Sequence, residues 1–533
     1  MQQKTVIITG GVLSGLGKGI ATASIGRLLK GENRKIITIK CDGYLNVDPG
    51  TMNPIEHGEV FVLEDGGEVD MDFGHYERFL GITCKSDWNL TSGKIFSRVI
   101  KQERKGKYLG KTIQIFPHVK QEIKGWWKEL AEKEKPDIIM IEIGGTVGDI
   151  ENSWFLEAAR DLRKENGPEN TLYVHLTYIP FLENTGEYKT KPAQRDLETL
   201  RGKGIQPDVL LCRSKGPIGE RQKQKLAVFT GIEPTQIINC EDVGTIYEVP
   251  IALQKEGLSR IIEEKLKIKT SDMTEWKKLV NNIKQPTKET TIAICGKYTE
   301  LKDSYASVIE ALKHAGAHLE TKINIRWVET TNLEKNPERQ KKLLQDVNGI
   351  LIPGGFGQRG TEGKIATAKY ARENKIPYLG ICYGLQIAVI EFARNVCGLE
   401  GANSTEINPD TKHPVIDYIP EQKEITQKGG TMRLGAYKTI IKPGTKIGQL
   451  YGSTETSERH RHRYEVNPEY HELLQENGII FSGMSPDKRL VEFIELKDHP
   501  YFAASQAHNE LTSRLEKPNP LFYGFIQAAL RKV

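Results

Sequence analysis

The stretch Ile376-Pro-Tyr-Leu-Gly-Ile-Cys-Tyr-Gly-Leu-Gln386 indicates the fold of the second half of the chain. An apolar run ends in Gly380-Ile-Cys382-Tyr-Gly384, and a helical pattern follows it. A nucleophile between two glycines at a strand-to-helix turn is typical of an elbow that presents a side chain above a sheet edge. The glycines allow a tight turn around a strained residue, and the helix N-terminus favours a thiolate. We therefore predict that Cys382 is a nucleophile rather than a buried cysteine that ends a strand.

Three neighbouring segments are predicted to serve this cysteine. The glycine-rich loop Pro353 to Gly360 follows an apolar strand, so its backbone N–H groups are expected to stabilise an oxyanion. A late strand is predicted to carry His508 and Glu510 on one face, with Glu510 orienting His508 as the base. The basic cluster Arg459 to Arg463 is expected to hold a substrate carboxylate, with a solvated face or a nucleic-acid patch as alternatives.

A phosphate-binding loop is predicted near the start of the chain. The segment Gly10-Gly-Val-Leu-Ser-Gly-Leu-Gly-Lys18-Gly19 lies between an apolar β-branched run and a helical pattern. Glycine amides at a helix N-terminus, together with the Lys18 ammonium, favour phosphate binding. Gly19 stands where a strict P-loop has Ser or Thr, so magnesium must find its ligands elsewhere.

Carboxylates later in this half are the candidate magnesium ligands. Asp70 and Asp72 leave a hairpin predicted to turn at Gly66-Gly67, and they are expected to face the same way on an extended segment. Glu142 ends an apolar strand before a glycine loop, at the edge where doubly wound sheets bind ligands. The segment Lys189 to Gln194, which contains two lysines, is predicted to begin a helix and is a candidate for binding a triphosphate, with a solvated loop as the alternative.

Length and composition limit the remaining choices. At 533 residues the chain is too long for one core, and alternating strand and helix patterns predict an α/β fold with two domains, 1–267 and 290–533, joined by a linker at 268–289. Seven scattered cysteines, no signal-peptide pattern and no long apolar run predict a cytoplasmic protein without a membrane segment. The net charge of +5 is mild and suits anionic small molecules as well as nucleic acid, so it decides little. The partners that we expect are small molecules and no nucleic acid.

Taken together, these motifs resemble the CTP synthase family over nearly the whole chain. The resemblance rests on near-literal strings at 10–20, 46–58, 74–79, 141–151, 189–194, 353–360, 379–386, 403–406 and 459–467. It implies an N-terminal amidoligase domain with a P-loop-like, doubly wound parallel sheet, joined to a C-terminal α/β class I glutamine amidotransferase domain. The implied activity is that of a ligase that aminates UTP at C4 through a 4-phosphorylated intermediate, using ATP and ammonia from glutamine, as the last route of de novo CTP synthesis.

The resemblance also implies site residues, partners and regulation. For ATP they are Gly15, Leu16, Gly17, Lys18, Gly19, Ile20, Asp72, Glu241, Asp242 and Val243, with Mg2+ on Asp72 and Glu142. For UTP, or for CTP as an inhibitor, they are Ser14, Asp149, Ile150, Glu151, Lys189, Thr190, Lys191, Pro192, Ala193, Gln194 and Lys225. For glutamine they are Gly355, Tyr383, Gly384, Leu385, Gln386, Glu406 and Arg463, with Cys382, His508 and Glu510 catalytic. GTP is implied as an activator, a homotetramer as the active form with filaments left open, and an ammonia channel at Pro54, His57 and Val60.

Departures from the family pattern leave two alternatives open. The family commonly has Phe and Pro where this chain has Ala507 and Asn509, and Ser and Pro where it has Gly15 and Gly43. Because a slightly misplaced His508 is costly in rate, one alternative is a filament-forming or regulatory protein without glutaminase activity. The other is an amidoligase of the cobyrinic acid diamide synthase kind with a carboxylate substrate, which the string at 189–194 disfavours.

Overall fold

The computed structural model describes residues 3–31, 33–50, 52, 58–297, 302–331, 333–418 and 432–531. The chain divides into two compact units, 1–48 with 75–280 and 49–74 with 281–533. The helix Thr274–Lys284 occupies much of the predicted linker, and the domain boundaries at 267 and 290 stay a prediction. The channel residues Pro54 and His57 lie outside the described residues.

The first unit is built on a seven-stranded parallel sheet, as the sequence pattern predicted. Its strands are nearly continuous runs of buried residues, which is typical of a parallel sheet covered on both faces. In spatial order they are Ile237–Glu241, Val209–Ser214, Thr171–Tyr178, Lys4–Gly10, Ile138–Ile143, Ile36–Asp42 and Asn89–Thr91. A short hairpin, Phe181–Leu182 with Glu187–Tyr188, lies apart from this sheet.

Helices alternate with these strands along the chain, so the connections between parallel neighbours are helical crossovers. They are Lys18–Leu29, Ser92–Arg104, Lys120–Glu134, Ser153–Asn166, Lys191–Gly202, Glu220–Thr230, Val249–Lys255, Leu258–Leu266 and Thr274–Lys284. A further helix, Asp72–Leu80, begins in residues of the second unit and continues in those of the first.

The second unit contains a nine-stranded mixed sheet. In spatial order its strands are Thr321–Glu329, Lys288–Gly296, Gly349–Ile352, Tyr378–Ile381, Phe502–Ser505, Val491–Leu496, Ile479–Met484, Arg433–Ile441 and Glu455–His462. The first five are parallel to one another, and every later pairing, which begins with that of Phe502–Ser505 and Val491–Leu496, is antiparallel. Two smaller sheets join Phe61–Val62 with Glu68–Val69, turning at Gly66 and Gly67 as predicted, and Asn403–Ser404 with Pro414–Tyr418 and Tyr464–Val466.

Two apolar cores lie on opposite faces of this sheet, because successive strand residues point to opposite sides. Ile350 and Tyr378 belong to one core, whereas Leu351 and Leu379 belong to the other. The covering helices are Ala306–His318, Pro337–Leu344, Thr361–Glu373, Tyr383–Asn395, Lys446–Tyr451, His471–Glu476 and Pro520–Leu530. Within the described ranges of both units, every helix is too short or too polar to cross a membrane.

Candidate active site

Cys382 lies at the predicted turn between a strand and a helix. The strand Tyr378–Ile381 ends just before it, and the helix Tyr383–Asn395 begins just after it. Its φ of 50° and ψ of −98° are strained for a residue with a side chain. Its N–H donates to the carbonyl of Ser505 at 2.6 Å, and its own carbonyl accepts from the N–H of Leu385 at 3.0 Å. Neighbouring backbone thus fixes the strained cysteine in place.

The glycines that flank Cys382 are required by close packing. A Cβ at Gly380 would lie 2.7 Å from the carbonyl oxygen of Gly384. A Cβ at Gly384 would lie 2.2 Å from the carbonyl oxygen of Ile352, which is the last residue of the neighbouring strand. A side chain at Gly380 would therefore clash within the elbow itself, and one at Gly384 would push the elbow away from the strand that precedes the loop 353–360.

His508 and Glu510 form the predicted pair, but not on a strand. The strand ends at Ser505, whose hydroxyl accepts from the N–H of Ala507 at 3.1 Å and so turns the chain out of the sheet. His508 then precedes a single 3-10 turn, Asn509–Thr512, so the prediction of an extended segment was wrong. Across this turn, Nδ1 of His508 lies 2.7 Å from Oε1 of Glu510.

The charge of His508 is set by these neighbours. Burial alone would lower the pKa of His508, but the Glu510 carboxylate and the hydrogen-bonded Cys382 sulfur outweigh burial and raise that pKa well above its ordinary value. An imidazolium beside a cysteine sulfur favours the thiolate that attacks an amide carbon. A Cβ at Gly354 would lie only 2.7 Å from Cε1 of His508, so the loop 353–360 passes directly against the imidazole.

The residues predicted to bind glutamine lie in the unit that contains this centre. Glu406 accepts from the N–H of Gly357 at 2.9 Å, and burial raises the pKa of its carboxyl group. Tyr383 is buried with its hydroxyl 2.6 Å from Oγ1 of Thr361. Together with Gly355, Gly384, Leu385, Gln386 and Arg463 they lie in the same unit as Cys382.

Gln506 is a further residue of this site that the sequence did not reveal. Its Nε2 donates to Sγ of Cys382 at 3.6 Å, and its Oε1 accepts from Nε2 of Gln386 at 3.4 Å. The one signal was its position two residues before His508. Gln386 also donates to the carbonyl of Tyr464 at 3.1 Å, so a short chain of amides runs behind the nucleophile.

The basic cluster 459–463 is largely internal. Arg459, His460 and His462 are buried, while Arg461 and Arg463 are partly exposed. From His460 to Arg463 burial alternates, as expected for the end of a strand with one covered face, whereas Arg459 and His460 are both buried. This excludes a solvated face or a nucleic-acid patch for most of the cluster, and it leaves Arg463 as the member suited to a substrate carboxylate.

In the first unit, the phosphate loop and Glu142 lie at the carboxyl ends of neighbouring strands. Ile8 pairs with Glu142 in register, and the loop follows two residues later. The helix begins at Lys18, whose Nζ donates to the carbonyl of Gly145 at 2.6 Å. Burial lowers the pKa of Lys18, and the charge of Glu142 opposes that shift. These groups meet at the strand ends where such sheets bind nucleotides.

Glu142 has one oxygen suited to a cation. Its Oε2 accepts from the hydroxyl of Tyr76 at 2.6 Å. Its Oε1 is buried without a hydrogen-bond partner and lies 3.6 Å from Nζ of Lys40. Such an oxygen fits magnesium, which takes one or two carboxylates plus substrate phosphates. No group of three or more acidic, histidine or cysteine side chains suited to a metal occurs within the described residues.

The segment around Asp70 and Asp72 is not extended as predicted. Asp72 is the first residue of the helix Asp72–Leu80, and its N–H donates to Oδ1 of Asp70 at 3.0 Å. Asp70 therefore satisfies a free amide at a helix start, which is a structural role for this carboxylate. Asp72 lies in the second unit and Glu142 in the first, so this pair as magnesium ligands stays a prediction.

The other predicted nucleotide residues lie on several connections of the first unit. Oδ2 of Asp149 accepts from the N–H of Thr146 at 2.7 Å, in the loop after the strand that carries Glu142. Thr190 is buried at the start of the helix Lys191–Gly202, where Nε2 of Gln194 donates to its hydroxyl at 3.1 Å. Ser14, Gly15, Ile150, Lys191 and Lys225 are exposed, and Glu241 ends the strand at one edge of the sheet.

Comparison with known proteins covers both halves. Residues 4–268 match the family model described as CTP synthase N-terminus, and residues 300–528 match the model for class I glutamine amidotransferase. The chain is 56% identical to a CTP synthase of Methanococcus maripaludis, over 99% of this chain and 100% of that protein. It is 55% identical to one of Methanocaldococcus jannaschii, over 99% of this chain and 98% of that protein. A third, from Carboxydothermus hydrogenoformans, is 53% identical over 99% of each chain. The chain therefore belongs to the CTP synthase family of glutamine-hydrolysing ligases.

Proposed function

We propose that this chain makes CTP from UTP and ATP with the ammonia that it releases from glutamine. The observation that carries the proposal is the contact of His508 with both Glu510 and Cys382, in a chain that also places Lys18 and Glu142 at one sheet edge. The first set of groups suits hydrolysis of an amide, and the second suits phosphoryl transfer. Family membership supplies the substrates that join the two reactions.

The proposed hydrolysis of glutamine runs through a thioester. The Cys382 thiolate attacks the side-chain amide carbon, and N–H groups of the loop 353–360 and of the helix start at Tyr383 stabilise the oxyanion. His508 gives a proton to the leaving ammonia, then takes one from the water that hydrolyses the thioester to glutamate. Glu510 holds the imidazole through Nδ1. The substrate is proposed to contact Gly355, Tyr383, Gly384, Leu385, Gln386, Glu406 and Arg463.

The proposed synthase reaction needs the uracil oxygen to become a leaving group. O4 of UTP takes the γ-phosphoryl group of ATP, which leaves ADP, and ammonia then adds at C4 and expels phosphate to give CTP. Lys18 and the loop amides are proposed to hold the ATP phosphates, while Mg2+ on Asp72 and Glu142 would neutralise their charge. The remaining predicted ATP and UTP residues keep the roles that the family resemblance implies.

Regulation and assembly belong to the same proposal. Activation by GTP, inhibition by CTP, a homotetramer in the cytoplasm and passage of ammonia past Val60 are supported by the family resemblance alone. A closed passage suits the chemistry, because ammonia released into water at neutral pH is mostly protonated and cannot attack C4. The place of the reaction as the last route of de novo CTP synthesis is likewise supported by the family resemblance alone.

CTP formation from UTP, ATP and Mg2+ tests the proposal, with either ammonia or glutamine plus GTP as the nitrogen source. We expect both sources to work, and Cys382→Ala to lose only the glutamine-driven reaction. Cys397→Ala is the matched control, since Cys397 is a partly exposed cysteine at the far end of the same helix region. No CTP from ammonia would overturn the synthase assignment. Equal loss of both reactions in Cys382→Ala would overturn the proposal that Cys382 serves glutamine hydrolysis and not the ammonia-driven reaction.

A further inference from the structure

A buried carboxylate lies behind the turn that carries His508 and Glu510. Glu458 is only 3% exposed on the strand Glu455–His462. Burial raises the pKa of Glu458, and hydrogen bonds from Tyr451, Thr512, Asn509 and Asn519 oppose that rise. A buried carboxyl group is costly and is kept where its hydrogen bonds serve a purpose.

Three side chains donate to this carboxylate. Oε1 accepts from the hydroxyl of Tyr451 at 2.6 Å and from Nδ2 of Asn519 at 3.1 Å. Oε2 accepts from the hydroxyl of Thr512 at 2.7 Å. Burial, and the charge of Glu458, raise the pKa of Tyr451 well above its ordinary value, so the tyrosine stays protonated as a donor. Thr512 is the last residue of the 3-10 turn, so Glu458 holds the end of that turn directly.

The start of the turn is tied to the same group. Asn509 is fully buried, and its Nδ2 donates to the hydroxyl of Tyr451 at 3.1 Å. The N–H of His508 donates to the carbonyl of Arg459 at 2.7 Å, and Arg459 is the residue after Glu458. The turn is thus held at His508, Asn509 and Thr512 by one strand and by the tyrosine bound to it.

We propose that Glu458 is a positioning residue of the glutaminase, which acts through Tyr451, Asn509 and Thr512 to aim His508 and Glu510. The proposal rests on the catalytic roles proposed above for Cys382, His508 and Glu510. Glu458 does not act as a second charge partner of His508, because both of its oxygens face the tyrosine, asparagine and threonine donors. An imidazole displaced by a fraction of an ångström loses its alignment with the amide nitrogen that it must protonate.

The test compares glutamine hydrolysis by the full chain and by Glu458→Gln. The amide keeps the size of the side chain but replaces one acceptor oxygen by a donor, so the hydroxyl of either Thr512 or Tyr451 loses the oxygen to which it donates. We expect kcat to fall about 10- to 100-fold, as for a misplaced catalytic group. The KM for glutamine should change less than about twofold, because no substrate contact is lost. The alkaline limb of the pH profile should move to lower pH, because a loosened Glu510 holds the proton on His508 less tightly.

Glu391→Gln is the matched control for a merely structural effect. Glu391 is also fully buried, but it pairs with Arg372 and lies away from the turn. We expect this variant to lower stability without moving the pH profile. Ammonia-driven CTP formation should be unchanged in both variants. An unchanged kcat and pH profile in Glu458→Gln would overturn the proposal, as would the same shift in Glu391→Gln.

Asn509→Ala gives a second test if Glu458→Gln does not fold. It removes one donor to Tyr451 and leaves the carboxyl group in place. We therefore expect kcat to fall and the alkaline limb to move to lower pH, both by less than in Glu458→Gln. The double variant should be less impaired than the product of the single effects, since both act on one turn. Wild-type protein that hydrolyses no glutamine would instead refute the proposed glutaminase function before either variant is made.

Discussion

Glu510 contacts His508 at 2.7 Å between Oε1 and Nδ1 across one 3-10 turn, and this turn follows a strand that ends at Ser505. A contact across a turn depends on what holds the turn, whereas a contact along a strand would be held by the sheet itself. Oε2 of Glu510 is buried without a hydrogen-bond partner, so the interaction with His508 is the main compensation for that carboxylate.

Glu510→Gln should therefore impair the base without removing it. The amide can still accept from Nδ1, but it no longer supplies the charge that raises the pKa of His508. We expect the rate of glutamine hydrolysis to fall about 10²- to 10⁴-fold, the usual range for an impaired acid–base catalyst. The alkaline limb of its pH profile should move to lower pH. Initial rates between pH 6 and 10 check this, and an unchanged alkaline limb would contradict it. Ammonia-driven CTP formation is the internal control.

Gly384→Ala should damage the nucleophile elbow through packing. Its new Cβ would meet the carbonyl oxygen of Ile352 at 2.2 Å, and that oxygen is backbone and cannot move aside. We expect the free energy of unfolding to fall by about 1–3 kcal/mol, with loss of glutamine hydrolysis. Urea titration and glutaminase assays measure both effects.

The control for this substitution is Gly125→Ala, in the helix Lys120–Glu134, where a Cβ meets open space. It should raise stability by about 0.5–1 kcal/mol, because alanine loses less conformational entropy in a helix. If Gly384→Ala behaved like Gly125→Ala, the packing argument for the elbow would fail.

The elbow and the phosphate loop could be predicted from sequence because their chemistry is local. Gly380, Cys382 and Gly384 occupy one turn, and each glycine is needed for a contact within or next to that turn. The parallel order of the strands followed from the alternation of strand and helix patterns, since parallel neighbours need long crossovers.

The turn at His508 and the helical position of Asp72 could not be predicted from propensity or alternation. In both places a single side-chain hydrogen bond sets where a strand ends or a helix begins. The hydroxyl of Ser505 ends a strand that propensity alone would extend, and Asp70 starts a helix where alternation suggested an extended segment. Gln506 and Glu458 were missed for a similar reason. Gln386, the partner of Gln506, and Thr512, a partner of Glu458, are far away in sequence and reach these residues only in the folded unit.

Lys18→Ala should separate the two halves of the reaction. Lys18 begins the helix that follows the predicted phosphate loop, and its Nζ donates to the carbonyl of Gly145 at the strand end. We expect CTP formation to be lost with either nitrogen source, while basal glutamine hydrolysis is retained. Lys128→Ala is the matched control, since that side chain is 78% exposed on a helix surface. Retained CTP formation in Lys18→Ala would contradict the phosphate-loop assignment.

Tyr76→Phe should weaken the use of magnesium without removing a ligand. Its hydroxyl donates to Oε2 of Glu142 at 2.6 Å and so orients the carboxylate whose other oxygen has no hydrogen-bond partner and lies 3.6 Å from Nζ of Lys40. Loss of such a partner lowers metal affinity about 10- to 100-fold in known sites. We expect the Mg2+ concentration for half-maximal, ammonia-driven CTP formation to rise.

Tyr173→Phe is the control for this effect, because it removes a buried hydroxyl that donates only to the carbonyl of Ala159 at 2.6 Å. It should leave the magnesium titration unchanged. An equal shift in both variants would show that general loss of stability, rather than Glu142, sets the magnesium dependence.

Glu465→Gln should reduce the dependence of stability on pH. Arg433 donates to Glu465 at 2.9 Å and to Glu492 at 2.6 Å, so two buried carboxyl groups share one guanidinium, and the charge of Arg489 also acts on Glu465. Burial lowers the pKa of the nearby His460 and His462, which therefore supply no second cation. Burial, with the charge of Glu492, raises the pKa of Glu465 to about 8 although Arg433 opposes the shift.

The sign of this effect follows from proton binding. The folded chain keeps a proton on Glu465 up to about pH 8, whereas the unfolded chain loses it near 4.5. Between these values the folded state binds more protons, so this group makes the free energy of unfolding fall as the pH rises. Urea titrations at pH 5, 6.5 and 8 should give a less negative slope for Glu465→Gln than for the wild type. Glu469→Gln, at an exposed position, should keep the wild-type slope. Equal slopes in all three proteins would mean that Glu465 is ionised in the folded cluster and that Arg433 compensates both carboxylates.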